Sequence, residues 1–242
     1  MSHIKLEKNN FKHLFGDYWP YIEPGFHLLE PVYAHLKERS SKHVKIFPKS
    51  EDTFRAFTAC PYKNIRAMWM GMSPYFSIWK GQPIADGLCF SSKGEQEPPS
   101  LSTLYSAIED DIGEILLERP LHLDYLAGQG ILMLNAALTT EQGKADSHIE
   151  LWKPFMEYVA KEVFCHLKGV PIISFGNAAR DVLEPHMTKD HLYRHLKHPS
   201  YFNRLGQPMD AEGTFQWMNE QIVGNNGIEY KIELNYGKLC PF

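Results

Sequence analysis

The sequence predicts an α/β fold: a three-layer αβα arrangement with a short central four-stranded parallel sheet. Two observations carry this. Four apolar runs, at 65–70, 131–134, 170–175 and 192–196, alternate with amphipathic helical stretches, the pattern of βαβ units. Each run is followed by glycine or a polar side chain: Gly71-Met72-Ser73, Asn135, Gly176-Asn177, and His198 shortly after the fourth. In a parallel sheet these ends share one edge, where open α/β sheets bind ligands. The stretch 65–90 concentrates the signal. Its apolar half reads as a buried strand, although periodicity alone also admits a short buried helix. Gly71 and Pro74 then turn the chain. Tyr75, Phe76 and Phe90 supply flat rings beside a polar loop, an arrangement suited to a planar ligand such as a nucleobase. On this stretch alone, a strand, a turn and a core cluster is the competing reading.

Taken in order, residues 1–10 are polar and expected to fray. Phe26, Leu28, Leu29, Val32, Tyr33 and Leu36 recur at spacings of three and four, which predicts a helix packed on the core. Ile46, Phe47 and Pro48 end it in a loop. Residues 51–60 read as one short helix capped by Ser50. A polar loop then holds Pro98 and Pro99, and Ser100 is positioned to cap the next helix. Leu101, Leu104, Tyr105, Ile108, Ile112 and Ile115 keep that helix in period. Further helices are expected at 152–167 and 210–223, and a last strand at 229–234. The whole of 1–242 is expected to form a single domain, with 224–242 as its tail.

With 43% hydrophobic and 22% charged residues and a formal net charge of −4, the chain has an ordinary globular composition. Contact with a polyanion would need a local basic patch. Cys60, Cys89, Cys165 and Cys240 are scattered, with no CxxC; this argues against a zinc ribbon or iron–sulfur site and fits a reducing, cytoplasmic setting. No signal peptide, spanning run or lipidation motif is evident. His186, His191, His195 and His198 lie close in sequence but match no zinc-ligand spacing, so no metal is expected.

The motifs, in their order, resemble those of family 1 uracil-DNA glycosylases over roughly residues 11–230. GMSPYF (71–76) resembles the family's water-activating GQDPYH. GLCFS (87–91) is similar to its uracil-stacking segment, and PPSL (98–101) to the proline loop on the DNA backbone. GQGILMLNAALT (128–139) resembles the strand ending in the uracil-reading asparagine. SFGNAA (174–179) is similar to the phosphate loop, and HPS (198–200) to the head of the minor-groove loop. IFPKSEDTFRAF (46–57) matches the family's N-terminal part.

The resemblance implies the following roles. DNA carrying uracil, single- or double-stranded, is the partner, with no cofactor and no membrane; the protein acts as a monomer, and any protein partner is unspecified. Asn135 reads the base, because an amide both donates and accepts. Phe90 stacks on the ring. Tyr75 stands against its C5 edge and excludes thymine. Met72 belongs to the same base pocket. His198 steadies the departing anion, with a merely solvated histidine as the competing reading. Pro98, Pro99, Ser100, Gly176, Asn177, Ser200 and Arg204 contact the DNA backbone, with Lys197 and Arg180 adding positive field. Phe202 replaces the intercalating leucine as a wedge. Ser73 stands where the family has its catalytic aspartate, and Phe76 where it has a histidine. Losing that charge costs about 100–1,000-fold in rate, unless another carboxylate supplies it, with Asp86 the first candidate. Two alternatives stay open: a weakly catalytic DNA-binding protein in replication or defence, and a glycosylase for another modified base.

Overall fold

The computed structural model describes residues 5–239. Its strands are β1 (Ile46–Phe47), β2 (Ala67–Gly71), β3 (Ile78–Trp79), β4 (Gln82–Pro83), β5 (Ile131–Asn135), β6 (Thr140–Glu141), β7 (Pro171–Phe175) and β8 (Leu192–Leu196). The helices are α1 (Lys12–Phe15), α2 (Trp19–Ile22), α3 (Leu29–Ser41), α4 (Arg55–Ala59), α5 (Pro99–Ile112), α6 (Asp124–Gly128), α7 (Ile149–Glu162), α8 (Asn177–Leu183), α9 (Pro199–Leu205) and α10 (Thr214–Asn226).

The four expected apolar runs form one parallel sheet in the order β5-β2-β7-β8. Every residue of β2, β5 and β7 is buried, because helices cover both faces and leave no polar side for alternation. Trp69 of β2 packs against α10, its ring 5.5 Å from that of Phe215 and its indole N–H 3.3 Å from the Met218 sulfur. Helices α5 and α9 pack together with α10 behind them, while α2, α3 and α8 gather on α7. Pairing Gly71 with Asn135 in the β2–β5 ladder brings the two motif-bearing loops side by side.

Several local expectations are corrected. The helix expected to begin near Phe26 starts at Leu29, after a 3₁₀ turn at Glu23–Leu28. Ile46–Phe47, expected as loop, is strand β1, paired antiparallel with β6; a two-residue strand has no period to read. Residues 51–60 are not one helix: a 3₁₀ turn (Ser50–Asp52) precedes α4, and Ser50 makes no cap. Ser100 does not cap α5 either. Pro98 is the N-cap residue and Pro99 the first helical residue, where a missing N–H costs nothing. The helix expected at 152–167 runs instead from Ile149 to Glu162. Helix α10 begins at Thr214, not 210, because the Asp111 carboxylate of α5 accepts from the N–H groups of Phe215 (2.7 Å) and Gln216 (3.1 Å). Its extent to Asn226 takes in part of the expected tail.

The strand expected at 229–234 does not form. Asn219 clamps Ile232 through its N–H (2.8 Å) and C=O (3.0 Å). Gln129 does the same to Glu233, at 2.7 and 3.0 Å. Side-chain amides thus satisfy backbone groups that a neighbouring strand would otherwise pair. Of the residues expected to fray, 1–4 lie outside the described residues, whereas Lys8–Asn10 form a 3₁₀ turn. Cys60, Cys89 and Cys165 are free thiols, and Cys240 lies outside the described residues. Among the described residues no helix is long and apolar enough to cross a membrane.

One buried ion cluster fixes the loop after β6. The Glu141 carboxylate accepts from Arg39 of α3 and from Lys144, the latter at 2.7 Å. First Arg39 and then Lys144 hold the Glu141 carboxyl down at about 2. A folded value below the ordinary 4.5 means the stabilisation is complete above about pH 4.5 and lost as pH falls towards 2. Glu141→Gln is therefore expected to destabilise by about 1–3 kcal/mol at neutral pH, each kcal/mol lowering Tm by about 2–4 °C. Thermal melts of both proteins across pH check this. The gap should narrow below about pH 4.5, and a gap constant down to about pH 3 would contradict it.

Candidate active site

At the C-terminal edge of the sheet lies a cavity of about 500 Å³, a size that suits a small planar ligand. The loop after β2 contributes Met72, Ser73, Pro74, Tyr75 and Phe76 to its wall. Phe90 comes from the 86–91 turn, Asn135 from the end of β5, Gly176 and Asn177 from the β7–α8 junction, and His198 from the β8–α9 junction.

Close approach to Asn135 requires glycine at 71. A Cβ there would lie 2.6 Å from Asn135 Oδ1, well inside contact distance. Asn135 is only 5% exposed, yet among the described residues its side-chain amide has no hydrogen-bond partner in the protein. A buried amide with both functions unspent can donate to and accept from a complementary edge. Gly176 is equally constrained. Its φ is +87°, and a Cβ would meet Met72 Sδ at 2.7 Å and His198 Cβ at 2.9 Å.

Phe90 has a φ of +63°, a backbone state that L-residues adopt only when their surroundings enforce it. Asp86 does much of the enforcing. Fully buried, it accepts from Ser91 Oγ (2.5 Å) and the Leu88 N–H (3.1 Å), with Arg55 3.3 Å away. Phe90 packs edge-on to Phe175 (5.1 Å) and lies 5.4 Å from the His198 ring at a 30° tilt. The Tyr75 hydroxyl donates to the Phe90 carbonyl at 3.1 Å, which fixes the two aromatic walls relative to each other. Burial pushes the Tyr75 phenol pKa up, so it remains a neutral donor.

His198 Nδ1 accepts the Ser200 N–H at 3.2 Å and lies 2.9 Å from Ser200 Oγ. The Nδ1 lone pair is thereby occupied, and the ring hydrogen is assigned to Nε2. Burial pushes the imidazole pKa down to about 4; the charge of Asp146 opposes this and that of Arg204 adds to it. The ring is thus a neutral donor at physiological pH.

Other expected residues fall in different places. Ser100, Ser200 and Arg204 line the cavity, as does Lys197, whereas Pro98, Pro99 and Phe202 do not. Phe202 is half-buried against the core. Its neighbour Tyr201, 37% exposed, lines the cavity with Lys197 Nζ 4.6 Å from its ring centroid. Arg180 is engaged by Asp181 at 3.0 Å and Glu184 at 3.8 Å and does not line the cavity. Asp86 serves the turn and does not face the cavity. A different carboxylate does: Asp146 lines it and accepts from Ser73 Oγ at 2.6 Å. The sequence shows only a polar turn there, GKADSH, and its partner lies 73 residues away.

Two of the histidines neighbouring His198 are occupied elsewhere. His191 bonds the Thr188 N–H (2.9 Å) and the Cys165 carbonyl (3.0 Å), and His195 bonds Ser174 Oγ (3.0 Å). Among the described residues the one cluster of metal-ligand type is His35, Glu141 and His148. Arg39 and Lys144 already neutralise its carboxylate, which disfavours a cation there.

No protein-family model matches the chain. A uracil-DNA glycosylase of Xanthomonas campestris pv. campestris (strain B100) is 35% identical over 157 residues, covering 63% of this chain and 62% of that protein. One from Pseudoalteromonas translucida (strain TAC 125) is 36% identical over 155 residues, 63% of this chain and 69% of that protein. The match thus spans less than two thirds of the Xanthomonas protein. Among solved structures, mimivirus uracil-DNA glycosylase superposes with a TM-score of 0.75 at 20% identity, covering 93% of this chain and 92% of that one. A UNG from Nitratifractor salsuginis does so at 0.60 and 18%, covering 95% and 100%. At such identities these two establish the fold.

The His198 assignment is directly measurable. Imidazole NMR titration should show two resonances with midpoints near 4, those of His198 and the buried His148, and His198→Gln should remove one. Because both folded values lie below the ordinary 6.5, the unfolded chain takes up protons first, and stability should fall as pH drops from about 6.5 to about 4. A His198 midpoint near 6.5 would refute the neutral-donor assignment.

Proposed function

The chain belongs to the uracil-DNA glycosylase family, and on that premise we propose that it removes uracil from DNA by hydrolysing the N-glycosidic bond, as in base excision repair. Within the family we place it closest to family 1, with Ser73 where the catalytic aspartate usually stands. The observation that carries this reading is convergence: an unspent amide, two aromatic walls and a neutral imidazole donor meet in one cavity from four separate loops.

A uracil inside a duplex is out of reach, so the nucleotide is flipped into the cavity. The Asn135 amide pairs with a uracil carbonyl and the adjacent N–H. Cytosine presents the opposite pattern and would leave buried groups unpaired. Phe90 stacks on the ring, a contact worth about 1–3 kcal/mol. Tyr75, tied to the Phe90 carbonyl, closes the C5 edge against a methyl group. This rigid wall favours uracil over bulkier 5-substituted bases. As the bond breaks, His198 Nε2–H donates to the oxygen that gains charge.

Ser100, Asn177 and Ser200 are the proposed phosphate contacts, helped by the free N–H groups at the start of α5. Lys197 and Arg204 supply the local positive field. Pro98 and Pro99 shape the entry to α5 rather than touch the base. Tyr201, exposed on the cavity rim, is better placed than Phe202 to serve as the wedge that fills the vacated stack. The neutral Ser73 keeps one further reading in view, a DNA-binding protein with little catalysis.

Incubation with a uracil-containing oligonucleotide followed by alkaline cleavage tests the activity. Intact strands with DNA binding retained would favour the non-catalytic reading. Asn135→Asp should reduce discrimination between uracil and cytosine by about 10–100-fold, the cost of a mispaired buried polar group. Unchanged discrimination would reject Asn135 as the reader. Tyr201→Ala should slow excision from duplex by roughly 5–100-fold while sparing single strands, which have no stack to refill. Equal losses on both substrates would remove Tyr201 as the wedge.

A further inference from the structure

The residue at 73 carries no charge, yet the developing cation on the sugar calls for one. Ser73 Oγ donates to Asp146 Oδ1 at 2.6 Å, and both side chains line the cavity. That bond is the single one the Asp146 side chain makes among the described residues, and no lysine or arginine there pairs with it. The cations that share the cavity wall, Lys197 and Arg204, form no ion pair with Asp146 among the described residues, and Arg39 and Lys144 are spent on Glu141.

The carboxylate is held in place. Its loop is fastened by Thr140 Oγ1 donating to the Lys144 carbonyl (2.7 Å) and the Glu141 N–H donating to Ser147 Oγ (2.8 Å). The Gly143 N–H donates to the Phe76 carbonyl at 3.0 Å, which ties the Asp146 loop to the Ser73 loop. Asp146 itself has a φ of +57°, a state aspartate tolerates better than most residues. The field of Asp146 reaches His198 across the cavity. An unpaired carboxylate in a cleft that receives phosphates weakens binding, so a merely decorative acid is unfavourable here.

We propose that Ser73 and Asp146 act as one unit, in which Ser73 holds the attacking water and Asp146 provides the negative charge that residue 73 lacks. This rests on the uracil-excision reading above. Because Ser73 gives its hydrogen to Asp146, a Ser73 Oγ lone pair is free to accept from a water. The C1′–N1 bond breaks and its electron pair leaves on the base, steadied by His198. The water oxygen bonds to C1′. Its proton passes to Ser73 Oγ as the serine proton moves to Asp146, and is returned to the uracil anion. One water enters; one base and one sugar hydroxyl leave. The carboxylate also offsets the positive charge on the sugar, an effect that grows when the bound nucleotide excludes water.

The test is single-turnover excision of uracil from a single-stranded oligonucleotide, with DNA binding by fluorescence anisotropy and a melting curve for each variant. Asp146→Asn keeps an acceptor for Ser73 but removes the charge. Excision should fall by about 100–1,000-fold, with DNA binding unchanged or tighter. In the double variant Ser73→Asp/Asp146→Asn the charge returns on the hydrogen-bonded partner position, and at least about tenfold of the loss should be recovered. A rate within about threefold of wild type for Asp146→Asn would overturn the proposal. A loss without recovery in the folded double variant would reduce Asp146 to a positioning residue and overturn its charge-bearing role. A wild type that binds DNA but excises nothing would remove the excision reading itself. That outcome is distinct because it appears before any variant is compared.

Discussion

The site depends on the register of two strands. Gly71 and Asn135 are paired at the ends of β2 and β5, and the absence of a side chain at 71 leaves room for the Asn135 amide. A slip of one residue would turn every side chain of β5 to the other face. Asn135 would then leave the cavity, and the loop that follows Gly71 would lose its neighbour. The Ala136 and Ala137 N–H groups extend the pairing beyond the strands, donating to the Gly71 and Met72 carbonyls at 2.9 Å each. The Asn135 amide and the loop bearing Ser73 are therefore held together as one piece.

Around that piece, carboxylates act as fasteners, two of them buried, Asp86 and Glu141, and one half-buried, Asp111. Asp86 gathers Ser91, Leu88 and Arg55 and so presents Phe90. Glu141 gathers Arg39 and Lys144 and so fixes the turn bearing Asp146. Asp111 caps α10 from a different helix. For Asp86 and Glu141 the charge leaves water only where donors and cations replace its hydration, the condition under which burial of an ion is tolerated. Asp146 differs: it stays exposed at the cavity wall with a hydroxyl as its partner.

The electrostatics of the cavity follow from that contrast. His198 is kept neutral by burial and by the bonds on Nδ1, so it donates without bringing a full positive charge. The negative charge enters from Asp146 on a loop remote in sequence. Lys197 and Arg204 line the cavity as well, as the proposed partners of substrate phosphates. The proposed donor to the leaving base, His198, and the proposed carboxylate beside the water, Asp146, thus come from different parts of the chain and line one cavity.

The sequence by itself determined the parallel sheet, because apolar runs long enough to be buried on both faces leave a local signature. It also determined which residues stand at the strand ends, because a strand's end is marked by the glycine, asparagine or histidine that follows. The places of Ser73, Asn135 and His198 at the sheet edge were legible in this way, whereas Tyr75 and Phe90 stood out only as rings of the 65–90 stretch. Tertiary structure decided what local pattern cannot carry. The tail alternates like a strand, but Asn219 and Gln129 clamp it in place of a neighbouring strand. Ser50 and Ser100 have the chemistry of caps, but a 3₁₀ turn and two prolines took those positions. Asp86 and Asp146 look alike as isolated letters. Packing buries the first under Arg55 and leaves the second facing Ser73, since a contact across 73 residues depends on how the loops fold back, and no periodicity encodes that.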